Sequence, residues 1–134
     1  MLVGMSTPYI EWQPNFSVGI EKIDKQHQHL ISLINQLAAA IANGHSRETL
    51  ARVLDGLVDY ARWHFLDEEK HIAEKLDPDL LHSHQAEHDQ YLATVLSLQQ
   101  DFETGAIDLD EQTLTFLFHW MGTHILGSDK HALL

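Results

Sequence analysis

"HSHQAEHDQY", residues 82–91, sets three histidines into a stretch otherwise suited to a polar helix. Histidine is a mediocre helix former, so local propensity does not select it there. Two of the three obey a longer pattern. Leu81, His84, His88, Tyr91, Val95, Leu98 and Phe102 advance in steps of three and four, one stripe of an amphipathic helix. His84 and His88 are four apart and leave the same face. His82 lies roughly opposite and reads as a surface residue.

Working outward, the same period recurs. Ile20, Ile23, His27, Leu30, Ile34, Leu37 and Ile41 form one stripe; Leu50, Val53, Leu57, Tyr60, His64, Glu68 and Ile72 form another. Leu114, Leu117, Met121 and His124 form the last, predicted to end near Gly127. Breaks fall at Asn43-Gly44, where Ser46 offers an N-cap, at "DPD" (77–79) and at Gly105. Residues 1–19 read as an irregular arm broken by Pro8 and Pro14, with Trp12 and Phe16 able to pin it. Nothing alternates with period two. The expectation is all-α: one domain over 1–134, with an up-down-up-down antiparallel four-helix bundle over 20–132.

Composition narrows the function. The formal charge is −12, from 8 basic and 20 acidic residues among 134, which argues against nucleic acid or an anionic membrane as partner. With no cysteine, thiolate metal sites and cysteine nucleophiles are excluded. "MLVGMSTPYIEW" (1–12) carries neither a basic leader nor a long apolar run, so the expected location is the cytoplasm, without membrane insertion. Histidine, at 11 residues, is the one anomaly.

Each stripe is interrupted by polar side chains: His27, then His64 with Glu68, then His84 with His88, then His124. One such histidine alone reads as a hydrogen-bonded core residue. Here the interruptions share a height. His27 and His64 lie nearly equidistant from a turn near residue 45, and His88 and His124 from a turn near 106. Eighteen helical residues span about 27 Å, so crowding does not force the agreement. A layer of imidazoles with a carboxylate inside a bundle is a metal-site pattern, and without thiolate it suits iron, manganese or zinc. Five histidines are too many for one metal with an open position and suggest two. A second carboxylate should bridge them. Asp129 is one candidate, and Glu87 and Asp89 are others further off. Periodicity does not choose Asp129, since five residues turn an ideal helix by roughly 140° beyond one revolution.

"DKQH" (24–27), "HFLDEE" (64–69), "HQAEH" (84–88) and "WMGTHILGSD" (120–129) together resemble the hemerythrins, bacterial hemerythrins in particular. The resemblance spans 27–129. It implies two iron ions (Fe2+/Fe3+): one on His84, His88 and His124, the other on His27 and His64. Glu68 and Asp129 would bridge them with an oxo or hydroxo group, which also settles Asp129. One coordination position then stays open. In hemerythrins O2 binds there and leaves again, and Leu30, Phe65, Trp120, Met121 and Ile125 would form its apolar pocket. Many relatives carry leucine where Met121 stands.

The expected function is reversible O2 binding for carriage, storage or delivery by a monomer that is not an enzyme, with an oxygen-consuming enzyme as candidate recipient. The alternatives are a di-iron oxidase or peroxidase, or an O2 or redox sensor. Two carboxylates against five neutral ligands favour binding over O–O cleavage. The other histidines (29, 45, 71, 82, 119, 131) read as surface residues, and Glu69, about 100° from Glu68 on the helix, falls outside the site.

Overall fold

Four long helices form where the four stripes run: α1 (Glu21–Ala42), α2 (Arg47–Ala73), α3 (Pro78–Glu103) and α4 (Glu111–Thr123). The structure, a computed structural model, describes residues 10–134; the first nine residues of the arm, Pro8 among them, lie outside the described residues. No strand occurs among the described residues. No described helix is long and apolar enough to cross a membrane.

The helix starts follow local chemistry. Ser46 accepts from the Thr49 N–H, Asp77 from Leu80, and Asp110 from Gln112 and Thr113, each satisfying backbone donors that have no partner within their helix. Pro78 occupies the first turn of α3, where a missing N–H costs nothing.

Cross-helix pairs run in opposite directions. Gln26 meets Asp67 while His29 meets Tyr60; Glu69 meets His88 while Asp55 meets Gln99. Tyr91 stacks on Trp120 of α4. The bundle is thus up-down-up-down. Its main core is built on residues such as Ile34, Leu37, Leu54, Leu57 and Leu117. A smaller cluster, Val18, Ile23, Ile72, Ala132 and Leu133, closes the end at the α2–α3 turn. Between the two lies the polar layer: along α1 the order is Ile23, His27, Leu30, and along α2 it is Ala61, His64, Glu68, Ile72.

The described part of the arm is tied down as expected. Trp12 and Phe16 pack edge to face and lean on the main core. Asn35 exchanges two 2.8 Å hydrogen bonds with the Ile10 backbone, and Asp24 accepts from the Val18 N–H at 2.8 Å.

Each helix connection contains one residue in the left-handed region: Gly44 (φ 67°), Leu76 (φ 57°) and Gly105 (φ 83°). Leucine resists that conformation by about 1–2 kcal/mol because of its Cβ. Leu76 is 88% exposed, so it recovers nothing by packing. Leu76→Asn should therefore raise stability by about 1 kcal/mol, since asparagine tolerates this slot better. Urea unfolding checks it, and an unchanged midpoint would show the turn to be unstrained.

Candidate metal centre

The seven residues expected from the sequence converge. His27 comes from α1, His64 and Glu68 from α2, His84 and His88 from α3, and His124 and Asp129 from the segment following α4. None is more than 3% exposed. They form two groups able to hold a metal ion, Glu68 with His84, His88, His124 and Asp129, and Glu68 with His27 and His64.

The carboxylates divide their oxygens between the groups. Glu68 Oε1 lies 2.9 Å from His84 Nε2 and 3.1 Å from His88 Nε2, while its Oε2 lies 3.1 Å from His27 Nε2 and 3.2 Å from His64 Nε2. Asp129 repeats the division: Oδ1 is 2.8 Å from His84 Nε2 and 2.9 Å from His124 Nε2, and Oδ2 is 3.2 Å from His27 Nε2. Five ring nitrogens and four carboxylate oxygens thus point at shared space.

Asp129 reaches that space through a distortion the sequence only hinted at. The last helix does not end near Gly127. α4 passes into a π-helical stretch, His124–Asp129, and resumes as α5 (Lys130–Leu133). The i→i+5 pairing of a π-turn brings residues five apart back toward one face, whereas an α-helix would carry Asp129 well away. Close packing does not select Gly127, because a Cβ there would meet nothing within 4 Å. The two rival carboxylates take other places: Glu87 sits outside His124, and Asp89 is exposed.

The donor set fits a pair of cations. His88 Nε2 and His124 Nε2 approach to 2.9 Å, a contact that is favourable without metal only if a proton lies between them. Asp129 Oδ2 is buried and makes no hydrogen bond despite facing His27. Neutral imidazole and carboxylate donors suit iron, manganese or zinc.

Comparison with known proteins agrees. Residues 18–133 match the family model described as the hemerythrin HHE cation binding domain. The chain belongs to the hemerythrin family. It is 31% identical to a bacteriohemerythrin of Methylococcus capsulatus over 115 residues, 86% of each chain. It is also 31% identical to one of Stenotrophomonas maltophilia, over 89% of this chain and 76% of that one. A wild-type hemerythrin crystal structure superposes with a TM-score of 0.86 at 29% identity, covering 93% of this chain and 95% of the other.

Around this hemerythrin-type centre lie residues that sequence reading missed. Glu69 is not outside it: its Oε2 accepts from His88 Nδ1 at 2.6 Å. Gln26 Oε1 holds His64 Nδ1 at 2.6 Å, and Glu87, offered by the sequence as a bridge, instead stands behind His124 with Oε1 3.3 Å from its Nδ1. Gln26 had a signal of its own, a polar residue beside His27 on an otherwise apolar face. Of the remaining histidines, five are exposed, as expected, and His71 is instead half-buried.

A cavity of about 10 Å³ abuts the centre. Leu30, Phe65, Trp120, Met121 and Ile125 all line it, joined by Leu57, Ala61 and Tyr91, which periodicity could not assign. His27, His64, His124 and Asp129 reach it; His84 and His88 do not.

Without metal, protons take the cations' place. Burial pushes His27, His84 and His124 down, but the facing carboxylates of Asp129 and Glu68 outweigh it, lifting the first two to about 9 and His124 to about 10. His64 is lowered, chiefly by burial. Burial opposes ionisation of Glu68, yet the surrounding histidines hold it well below the usual carboxylate range, and Asp129 is lowered likewise. A raised histidine stabilises the fold fully below its unfolded value and loses that contribution as pH rises through the folded one. Lowered carboxylates act oppositely, losing theirs only in acid. The metal-free protein should therefore melt at progressively lower temperature as pH rises from about 6.5 to about 9 to 10. The metal-loaded protein, whose imidazoles are already neutral, should not; parallel thermal scans with and without metal decide it. Inserting an alanine after Gly127 should place the Asp129 carboxylate six positions after His124, a spacing that neither α- nor π-helical pairing returns to that face, and so swing it off the layer. Helical circular dichroism should survive while bound metal falls, and full metal content in that variant would sink the π-turn explanation.

Proposed function

We propose that the chain holds two iron ions in this layer, one on His84, His88 and His124 and one on His27 and His64, bridged by Glu68 and Asp129. We propose further that it binds O2 reversibly, for carriage, storage or delivery, and is not an enzyme. The observation that carries this reading is the division of each carboxylate between the two histidine groups. The names of the bacteriohemerythrin relatives agree with it.

When bound, the iron pair with its oxo or hydroxo bridge supplies the affinity and electrons that O2 requires. The chain's own residues do the rest. Glu68 and Asp129 set the spacing of the two positions. Two histidines on one side against three on the other leave one more vacancy beside His27 and His64. The cavity opens on that side, and its volume suits one small molecule. Its remaining walls are apolar apart from Tyr91 and Trp120, which discourages water from entering. Burial pushes the Tyr91 phenol upward, so it stays neutral. Among the described residues lining the cavity, outside the candidate ligands, that phenol is the one group able to give up a proton, and burial makes it a poor acid for O–O cleavage at neutral pH.

Reduced protein should be nearly colourless and gain a visible absorption band in air, with one O2 taken up per two irons. Argon should reverse this over several cycles. His64→Ala should abolish the response and the surface control His82→Ala should not. A single irreversible oxidation, or continuous O2 consumption with an electron donor, would place the protein among the oxidases instead.

A further inference from the structure

The two histidine groups differ in what stands behind them. A metal-bound imidazole that donates its outer N–H to a carboxylate becomes a more basic, more electron-rich ligand than one donating to a neutral acceptor. His88 donates to Glu69 at 2.6 Å and His124 faces Glu87 at 3.3 Å. Both belong to the three-histidine group. In the other group, His64 donates to the neutral amide of Gln26 at 2.6 Å, and His27 Nδ1 is buried without a hydrogen-bond partner.

The surroundings sharpen the contrast. Glu69 is only 15% exposed, and among the described residues no lysine or arginine forms an ion pair with it or with Glu87. Gln26 is 4% exposed, and its amide orientation is fixed because Nε2 donates to Asp67 at 2.8 Å. Lys22 lies 3.3 Å from Asp67 and offsets its charge. Unbalanced negative charge therefore backs one group and not the other.

We propose that Glu69, assisted by Glu87, makes the two metal positions electronically unequal: the three-histidine position binds its cation more tightly and favours the higher charge, while the position beside the cavity is the weaker. Glu69 is a positioning residue in this scheme and touches neither metal. The inference rests on the two-metal reading above but not on O2 binding. It assigns a role to Glu69, the last carboxylate of "HFLDEE", which helical geometry turns away from Glu68.

The test is an anaerobic titration of the metal-free full-length chain with Co2+, followed by calorimetry and visible absorption. Wild-type protein should take two cobalt ions in two unequal phases. His64→Ala should remove the weak phase and keep the tight one. Glu69→Gln keeps the shape and an acceptor oxygen but loses the charge; it should weaken the tight phase by about 10–100-fold and leave the weak phase in place. Gln26→Glu combined with Asp67→Asn supplies the missing carboxylate while keeping the hydrogen bond between these positions; it should tighten the weak phase, a gain that damage to the fold cannot mimic. Unchanged tight binding in Glu69→Gln, equal weakening of both phases, or no tightening in the double variant would each overturn the proposal. Fewer than two cobalt ions on the wild type would overturn the two-metal reading itself.

Discussion

A carboxylate withdrawn from water costs several kcal/mol unless charge and hydrogen bonds meet its oxygens. Glu68 and Asp129 are both wholly withdrawn. Their oxygens can be met only from several directions at once, so every helix must present a nitrogen at one height. That demand fixes the register of all four helices more tightly than the leucines and isoleucines do, since an apolar stripe tolerates a slip that exchanges one methyl contact for another. The polar layer is thus the element of the bundle least free to move, although it breaks the hydrophobic core in two.

The two apolar clusters divide the remaining work. The larger one, from Leu30 and Phe65 outward, holds most of the buried apolar side chains among the described residues. The smaller one, with Val18 of the arm and Leu133 of the last turn, keeps water off the layer from the other side. A polar layer in the middle of a bundle weakens it until something binds there, so occupancy and stability are linked by mass action.

Most of this was legible in the chain. The four stripes, the breaks at Gly44, Pro78 and Gly105, and the common height of His27, His64, His88 and His124 follow from helical period and counting. Asp129 did not follow, because a regular helix places it on the wrong side and the π-turn that returns it has no sequence rule as firm as the apolar period. Resemblance to the hemerythrins supplied it instead. Glu69 was missed for a related reason. A 100° offset removes a residue from its own helix's inward face, but not from the reach of a histidine on the neighbouring helix. Tyr91 and Leu57 read correctly as core, whereas Ala61 lay off the stripe that periodicity drew. That they also wall a cavity depends on three-dimensional packing, which periodicity does not contain.

The candidate ligands also divide along the chain. The α1–α2 hairpin carries His27, His64 and Glu68; the α3–α4 hairpin with its π-turn carries His84, His88, His124 and Asp129. Glu68 reaches across to the second set and Asp129 to the first, so the centre bolts two hairpins together without regard to the short link between them. That link contains Leu76 in its unfavourable left-handed conformation. Strained, short hinges are where identical chains exchange halves. Two molecules that opened this turn and traded hairpins would rebuild the same seven-residue layer twice, each copy drawn from both chains. Donor geometry at the centre is therefore indifferent to whether one polypeptide or two supplies the hairpins.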